Sequence, residues 1–581
     1  MIEEEIDKQV DLYKCFADFF EEKNIPQLRK YLSQSLQDLN EGHICTLVLE
    51  KDYDHLKKSQ HISKEEDDLS KPFVLMNNRF YLNRYFQYET QIVNKIKTVL
   101  ESSLTKIKDN IQLIKNEKKL ISNLFKNENK EIEPNWQLIA SLNSLLYNFS
   151  IITGGPGTGK TTTVAKILAI LFKLEPKSKV SLVAQTGKAT VRLKDSLMLA
   201  KNKLDIDDEL KSLYDNISPS TIHRLLGSKR DSINFKYNSE NHLHTDVLII
   251  DEASMIDVPL MAKLLSAVQP NAKVILLGDK NQLASVEAGS VFGDLCDVCL
   301  NGINLFPTQV IDFFNTFSQH HLDKKYISDQ ISPLNQSICE LQKSFRFDDT
   351  KGIGLLSSKI LKGETFDIKQ ESTDNVTLLQ NIQDKKFLDS LSLFEPYTKT
   401  TNPQECLHLF NNIKILCAQK MGPEGVHAMN ELVEKHLTRK HLIDTQTEFY
   451  DKRPILITQN DYNLELYNGD IGICLKKEDG SIGVYFEDNT SATQVREVPP
   501  FLLNSFETVY AMTIHKSQGS EFENVIVTLP SNHESKILSR ELLYTGLTRA
   551  KENALIISTQ EVLDQTIKRK VDRASGITLR F

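Results

Sequence analysis

Residues 151–162 read Ile-Ile-Thr-Gly-Gly-Pro-Gly-Thr-Gly-Lys-Thr-Thr, and no other stretch limits the fold of this chain so tightly. Gly154 to Thr161 fits the spacing G-x-x-x-x-G-K-[ST]. An apolar run precedes it, and Val164, Ile167, Leu168 and Leu171 follow at helical spacing. A strand must therefore turn through a glycine loop straight into a helix. Glycines let backbone amides wrap an anion, and the helix N-terminus adds unpaired N–H groups and a partial positive charge. Gly154, Gly155, Pro156, Gly157, Thr158, Gly159, Lys160, Thr161 and Thr162 are read as a nucleotide phosphate site. Lys160 reaches the β and γ phosphates and the Thr161 hydroxyl holds Mg²⁺. The loop alone does not say what nucleotide hydrolysis drives.

With 581 residues there is room for roughly three or four domains of about 150 residues. The hydrophobic fraction of 40% and charged fraction of 25% are those of a globular protein, and no apolar run approaches the roughly 18 residues of a membrane span. Met1-Ile2-Glu3-Glu4-Glu5 is acidic and is no signal peptide, so a cytoplasmic location is expected. The eight cysteines are scattered, with one C-x-x-C at Cys296 and Cys299, and read as buried thiols in a reducing compartment. The net charge of −8 confines any nucleic-acid contact to a local groove, or turns part of the acidic surface toward a protein partner.

Residues 1–105 hold no phosphate pattern and mix helical stretches with Thr46–Leu49 and Phe73–Leu75. Residues 106–133 read as a helical connector, with Ile107, Ile111, Ile114, Ile121, Leu124 and Phe125 near helical period. From 134 to 335, short β-rich runs (Val180–Ala184, Val247–Ile250, Val274–Leu277) alternate with helical ones, which implies a parallel sheet covered on both faces. The texture returns within 336–581 at Ile413–Ala418, Val525–Leu529 and Ala554–Ile557. Between them, about 425–505, the runs Arg453–Thr458, Asp470–Cys474 and Ile482–Phe486 and the turns Asn468-Gly469 and Asp479-Gly480 suggest a small inserted β-barrel. The expected fold is α/β, with two parallel-sheet units of which only the first has a phosphate loop. Residues 303–340, with His320-His321 inside, read as an irregular insert that is solvated or touches a partner.

Two further segments carry chemistry. Val247–Ile250 is an apolar strand that ends in Asp251-Glu252. Asp251 is placed to hold Mg²⁺ through water opposite Thr161, and Glu252 to orient and polarise an attacking water. A phosphate loop plus Asp-Glu argues for hydrolysis rather than small-molecule phosphorylation. The run Leu276-Leu277-Gly278-Asp279 ends a third strand, and Gln282 follows where an amide can sense the γ-phosphate.

With Ala184-Gln185-Thr186-Gly187-Lys188-Ala189 and Thr221-Ile222-His223-Arg224-Leu225-Leu226-Gly227, this series resembles superfamily 1 DNA helicases. It is most similar to the RecD family, the alpha subunits of exodeoxyribonuclease V (RecBCD) complexes. Ser344-Phe345-Arg346-Phe347, Thr513–Phe522 and Leu543–Ala550 look like the family's fourth, fifth and sixth motifs. Phe345 stands where the family often has Tyr, a change expected to be tolerated because the ring packs. The resemblance implies two RecA-like motor domains, an SH3-like barrel in the second and an N-terminal partner-docking domain. It makes Arg346 a γ-phosphate contact, Arg549 an arginine finger and Gln137, beside Trp136, the reader of adenine. Both arginines are expected from the second unit. Thr186, Lys188, Thr221 and His223, then Thr513, His515 and Gln518, would touch the backbone of single-stranded DNA; each alone reads as an ordinary loop residue.

The resemblance further implies ATP and Mg²⁺, RecB-like and RecC-like partners in a heterotrimer, 5′→3′ polarity, and work in double-strand-break repair, recombination and degradation of linear DNA. Glu41–Cys45 and Arg79–Tyr85 look like segments of the docking domain, and the aromatics Phe80, Tyr81, Tyr85, Phe86 and Tyr88 are either core or partner-facing. No nuclease constellation is visible, so cleavage is expected on another subunit. An autonomous helicase, and a regulatory subunit that binds ATP and DNA but hydrolyses little, remain open alternatives.

Overall fold

The computed structural model describes residues 12–581 except 65–69, 127–133, 230, 231, 233, 286, 301, 369–372, 374, 462, 489–493, 533 and 534. Residues Met1–Glu5 and the end of the connector lie outside the described residues.

The N-terminal part builds a four-stranded sheet from β1 (Thr46–Leu47), β2 (Ile62–Ser63), β3 (Phe73–Met76) and β4 (Arg79–Leu82), in the order β1-β4-β3-β2. Asn77 and Asn78 close the β3–β4 hairpin at φ 49° and 55°, the double left-handed turn that suits the twist of a two-residue connection. Phe80 stacks on Phe73 at 5.2 Å, and Phe80, Tyr81 and Phe86 are buried. Tyr85 and Tyr88 pack on the core of the next unit, so this aromatic cluster is internal. The boundary expected at 105 is not a structural break. Helix Asn83–Leu104 buries Ile92, Ile96 and Val99 beside Met261 and Leu264 of the following unit. The connector helices Ile107–Asn116 and Lys118–Leu124 likewise turn Ile111, Ile114, Ile121 and Leu124 inward and their lysines outward.

The first large sheet contains β5 (Phe149–Gly154), β6 (Val180–Ala184), β7 (Ser220–Thr221), β8 (Val247–Ile250), β9 (Lys273–Gly278) and β10 (Ile338–Leu341). Its order is β10-β5-β9-β8-β6-β7, with every pairing parallel. Alternate residues serve opposite faces. Val247 and Ile249 enter one core, Leu248 and Ile250 the other, and β9 divides in the same way. Each such side chain contributes about 1.5–3 kcal/mol by leaving water, which is why these strands read as unbroken apolar runs. Two expectations are corrected. The first unit extends past 335, because β10 pairs with β5. The segment 303–340 is not a solvated insert: helix Thr308–Asn315 buries Val310, Ile311, Phe313 and Phe314 in the first unit, and Tyr326 meets Trp136 edge-on at 5.1 Å.

The second large sheet begins with β11 (Val376–Leu379) and β12 (Ile413–Cys417). The chain then leaves it to form β13 (Pro454–Ile457), β14 (Ile471–Lys476), β15 (Ile482–Glu487), β16 (Val495–Val498) and β17 (Phe506–Thr508). It returns as β18 (Ala511–Thr513), β19 (Phe522–Thr528) and β20 (Ala550–Ile557), giving a parallel sheet in the order β11-β20-β19-β12-β18. The insert is an antiparallel sheet in the order β16-β15-β14-β13-β17, turning at Gly469 and Gly480 with φ 99° and 86°. It spans 454–508 rather than 425–505, because helix Val426–Arg439 packs Met429, Val433 and Leu437 onto the second large sheet.

The last residues do not stay with the second unit. After helix Gln560–Lys568 the chain crosses to the N-terminal sheet. There the Ile44 amide donates to the Ala574 carbonyl at 3.1 Å, Arg79 Nε donates to the Ser575 carbonyl at 2.8 Å, and Ile577 is buried in the first unit's core.

Candidate active site

The phosphate loop closes β5 and starts helix Lys160–Leu174. Gly157 and Gly159 hold φ 78° and 85°, and Gly159 is the residue that caps the helix. Both positions also need the missing side chain. A Cβ on Gly157 would overlap Arg346, and one on Gly159 would overlap the Gln137 amide. Thr158 Oγ1 donates to the Gly155 carbonyl at 2.8 Å, and Lys160 Nζ donates to the carbonyls of Gly154 and Gly155 at 2.7 and 3.2 Å. The lysine ammonium thus lies across the mouth of the loop. Gln137 is buried, gives Nε2 to the Thr158 carbonyl at 3.1 Å, and leaves Oε1 without a partner among the described residues.

At the end of β8 the Asp251 amide donates to the Val183 carbonyl at 2.8 Å, and Asp251 Oδ1 accepts the Glu252 amide at 2.9 Å. Glu252 sits at φ 51°, a left-handed conformation that costs on the order of 1–3 kcal/mol and that collects at functional sites. Burial, and next the charge of Glu252, push the Asp251 carboxyl up, against the pull of Lys160. A hydroxyl from Thr161 and the Asp251 carboxylate, both lining the cavity, are oxygen ligands that suit a hard divalent cation. Gln282 is buried, donates Nε2 to Asp279 Oδ2 at 3.2 Å, and leaves Oε1 unpartnered among the described residues.

These groups line a cavity of about 660 Å³, and Arg346, Glu521 and Arg549 line it as well. Arg549 is buried at 3% exposure, with Nε donating to the Thr545 carbonyl at 3.2 Å and Nη1 to the Ser520 carbonyl at 3.3 Å. It comes from the second unit, as expected. Arg346 does not: it follows β10 of the first sheet, and its segment is fixed to the phosphate loop. The Phe345 amide donates to the Gly157 carbonyl at 2.8 Å and Ser344 Oγ to the Pro156 carbonyl at 3.1 Å. Phe345 lines the cavity but its ring is 59% exposed, so it does not pack as expected.

The expected DNA contacts follow β6, β7 and β18. β7 and β18 are edge strands, while Lys160, Asp251 and Gln282 follow the inner strands β5, β8 and β9. Ala184 is paired with Thr221, which brings Thr186 and Lys188 beside Thr221 and His223. Thr186 and Thr221 cap the helices that follow them, accepting the amides of Ala189 and Arg224 at 3.2 and 3.3 Å. His223 is exposed, edge-on to Phe235 at 5.7 Å. Burial lowers the Lys188 ammonium, and Glu487 and Asp470 of the inserted sheet oppose that shift. Tyr467 of the insert covers Gly187, where an added Cβ would lie 3.2 Å from the ring. Thr513 Oγ1 accepts the Lys516 amide at 3.3 Å, and burial lowers the His515 imidazole. Gln518 is corrected: it is buried between the units, with Nε2 donating to the Leu283 carbonyl at 2.8 Å. An amide so committed is a domain contact rather than a groove residue.

Two groups at this site were missed in the sequence. Arg192 reaches from the first unit to the second, and Glu521 receives it; the signals were the i,i+4 spacing of Lys188 and Arg192 on one helix and the place of Glu521 inside Thr513–Phe522.

Two parallel-sheet units around one nucleotide cavity, one with the phosphate loop and Asp-Glu and the other with a buried arginine, define a helicase-type ATPase motor. Residues 137–288 match the AAA domain family and residues 508–557 the UvrD-like helicase C-terminal domain family. The RecBCD enzyme subunit RecD of Buchnera aphidicola from Acyrthosiphon pisum is 33% identical over 94% of this chain and 90% of its own length. That of Haemophilus influenzae is 34% identical over 89% and 82%. The chain belongs to the RecD family. A solved structure of Bacteroides Pif1 bound to single-stranded DNA aligns with 75% of this chain and 94% of its own at 18% identity, with a TM-score of 0.37. Among the described residues, no helix is long and apolar enough to cross a membrane.

Proposed function

We propose that the chain is an ATP-driven 5′→3′ DNA helicase and translocase that works with RecB-like and RecC-like subunits on DNA ends, in break repair, recombination and degradation of linear DNA. The observation that carries this reading is the shared cavity, lined by Lys160 and Glu252 of one motor and by Arg549 of the other. Glu252 accepts a proton from the water that attacks the γ-phosphorus. Lys160, Arg346 and Arg549 meet the charge that spreads over the transferred phosphoryl group, and an arginine in that role is worth about 10³–10⁵ in rate. Mg²⁺, held by Thr161 and Asp251, supplies further neutralisation of the phosphate oxygens when bound. Gln137 offers its free Oε1 to an adenine amino group, and the exposed face of Phe345 is open to stacking on a base.

ATP draws the two motors together and loss of the γ-phosphate releases them. Thr186, Lys188, Thr221 and His223 on one motor, with Thr513 and His515 on the other, then grip a strand in alternation, which converts closure into stepping. The N-terminal sheet and its exposed Phe19, Leu47 and Leu49 offer a docking face for the RecC-like partner. Unwinding of 5′-tailed and 3′-tailed duplexes, with and without those partners, tests the reading. Displacement on 5′-tailed substrate alone is expected, and displacement only on 3′-tailed substrate would refute the polarity.

A further inference from the structure

Three charged side chains from three segments meet at the cavity wall. Arg192, on helix Gly187–Lys203 of the first motor, pairs through Nη2 with Glu521 Oε2 and donates Nη1 to the Gly519 carbonyl at 3.0 Å. The same Glu521 oxygen takes Arg346 Nη2 at 2.8 Å, while the buried Nη1 of Arg346 makes no hydrogen bond among the described residues. Burial alone would raise the Glu521 carboxyl, but Arg192 and Arg346 together outweigh it and hold it at about 2. A permanently ionised carboxylate of the second motor is therefore shared by one arginine from the strand-gripping helix and one from the phosphate loop's edge.

We infer that Arg192 is a positioning residue that couples strand binding at Lys188 to the hydrolysis arginine Arg346, with Glu521 as the shared link. Lys188 and Arg192 are one turn apart on the same helix face, so a phosphate that moves Lys188 moves Arg192. When Arg346 turns to a γ-phosphate it leaves Glu521, and Arg192 is the partner that keeps this carboxylate paired. Without Arg192 the carboxylate holds Arg346 back, whether or not a strand is bound. The inference rests on the proposed DNA-driven ATPase.

The test is ATP turnover with and without oligothymidylate for wild type, Arg192→Met, Arg192→Lys and Glu521→Gln. The Arg192 side chain is 38% exposed, and an unchanged melting temperature of Arg192→Met checks that its loss acts on coupling rather than on the fold. Arg192→Met is expected to lose about tenfold of the strand-stimulated kcat with little change in the KM for ATP, within the usual range for coupled sites. Arg192→Lys should restore part of it, and Glu521→Gln should also lower the ratio of stimulated to basal turnover. Wild-type-like stimulation in Arg192→Met, or a rise in KM at constant kcat, overturns the inference while leaving the proposed function standing. A wild type that hydrolyses ATP with no response to the strand overturns both.

Discussion

The Tyr544 hydroxyl of the second motor donates to Asp279 Oδ2 of the first at 3.0 Å, within a fully buried part of the junction. The Tyr544 hydroxyl oxygen would lie 2.9 Å from a Cβ on Gly155, so it also sits against the phosphate loop. Burial raises the Asp279 carboxyl, and the tyrosine hydroxyl is among the few groups that oppose this. Tyr544→Phe removes one hydrogen bond to a charged acceptor, worth about 1.5–3 kcal/mol. ATP turnover should fall by about tenfold or more, read in steady state alongside an unchanged circular dichroism spectrum.

Arg549 is buried at the cavity, with two of its nitrogens already bound to backbone carbonyls and so aimed before any nucleotide enters. Arg549→Ala should lower kcat by about 10³ and ATP affinity by far less, because the charge it meets develops during transfer. Turnover and nucleotide binding measured on one preparation separate the two.

Gln137 keeps one amide oxygen free while its nitrogen braces the phosphate loop. Gln137→Ala should cut the preference for ATP over GTP by roughly tenfold, the weight of one buried hydrogen bond. Competition between the two nucleotides for hydrolysis checks this.

The segment that returns from the second motor rests on a buried acid. Glu89 is fully buried and accepts the Gly576 amide at 3.2 Å, with Arg580 3.9 Å away. Burial raises its carboxyl to about 7 from an ordinary 4.5, against the Gly576 amide, Arg580 and Arg79. The folded chain therefore holds the proton more tightly than the unfolded one, and this stabilisation is complete below about 4.5 and lost as pH rises through about 7. Asp294, raised to about 7 chiefly by burial, acts in the same direction. Glu89→Gln should flatten part of the slope of melting temperature against pH and add about 3 kcal/mol at pH 8.

The nucleotide side of the site was legible in the sequence because each group follows a strand or opens a helix. The backbone therefore fixes Lys160, Asp251, Glu252 and Gln282 once the apolar runs are seen. Placement across long separations was less legible. Arg346 belongs to the first motor because β10 pairs with β5, a partnership that a four-residue strand with Glu340 inside it does not announce. Gln518 carries a motif's amide yet spends it on Leu283, and helix Thr308–Asn315 hides its apolar face in a segment that reads as irregular. Non-local pairing, not local propensity, decides these three.

The most direct test of a cleft that turns hydrolysis into DNA movement is Lys160→Ala, assayed with the partner subunits for assembly and alone for ATP turnover and displacement from a 5′-tailed duplex. Lys160 donates its hydrogen bonds to the phosphate loop, whereas the N-terminal sheet packs in a separate core. The variant should assemble like wild type and show neither turnover nor displacement. ATP-driven displacement retained by Lys160→Ala would contradict the mechanism.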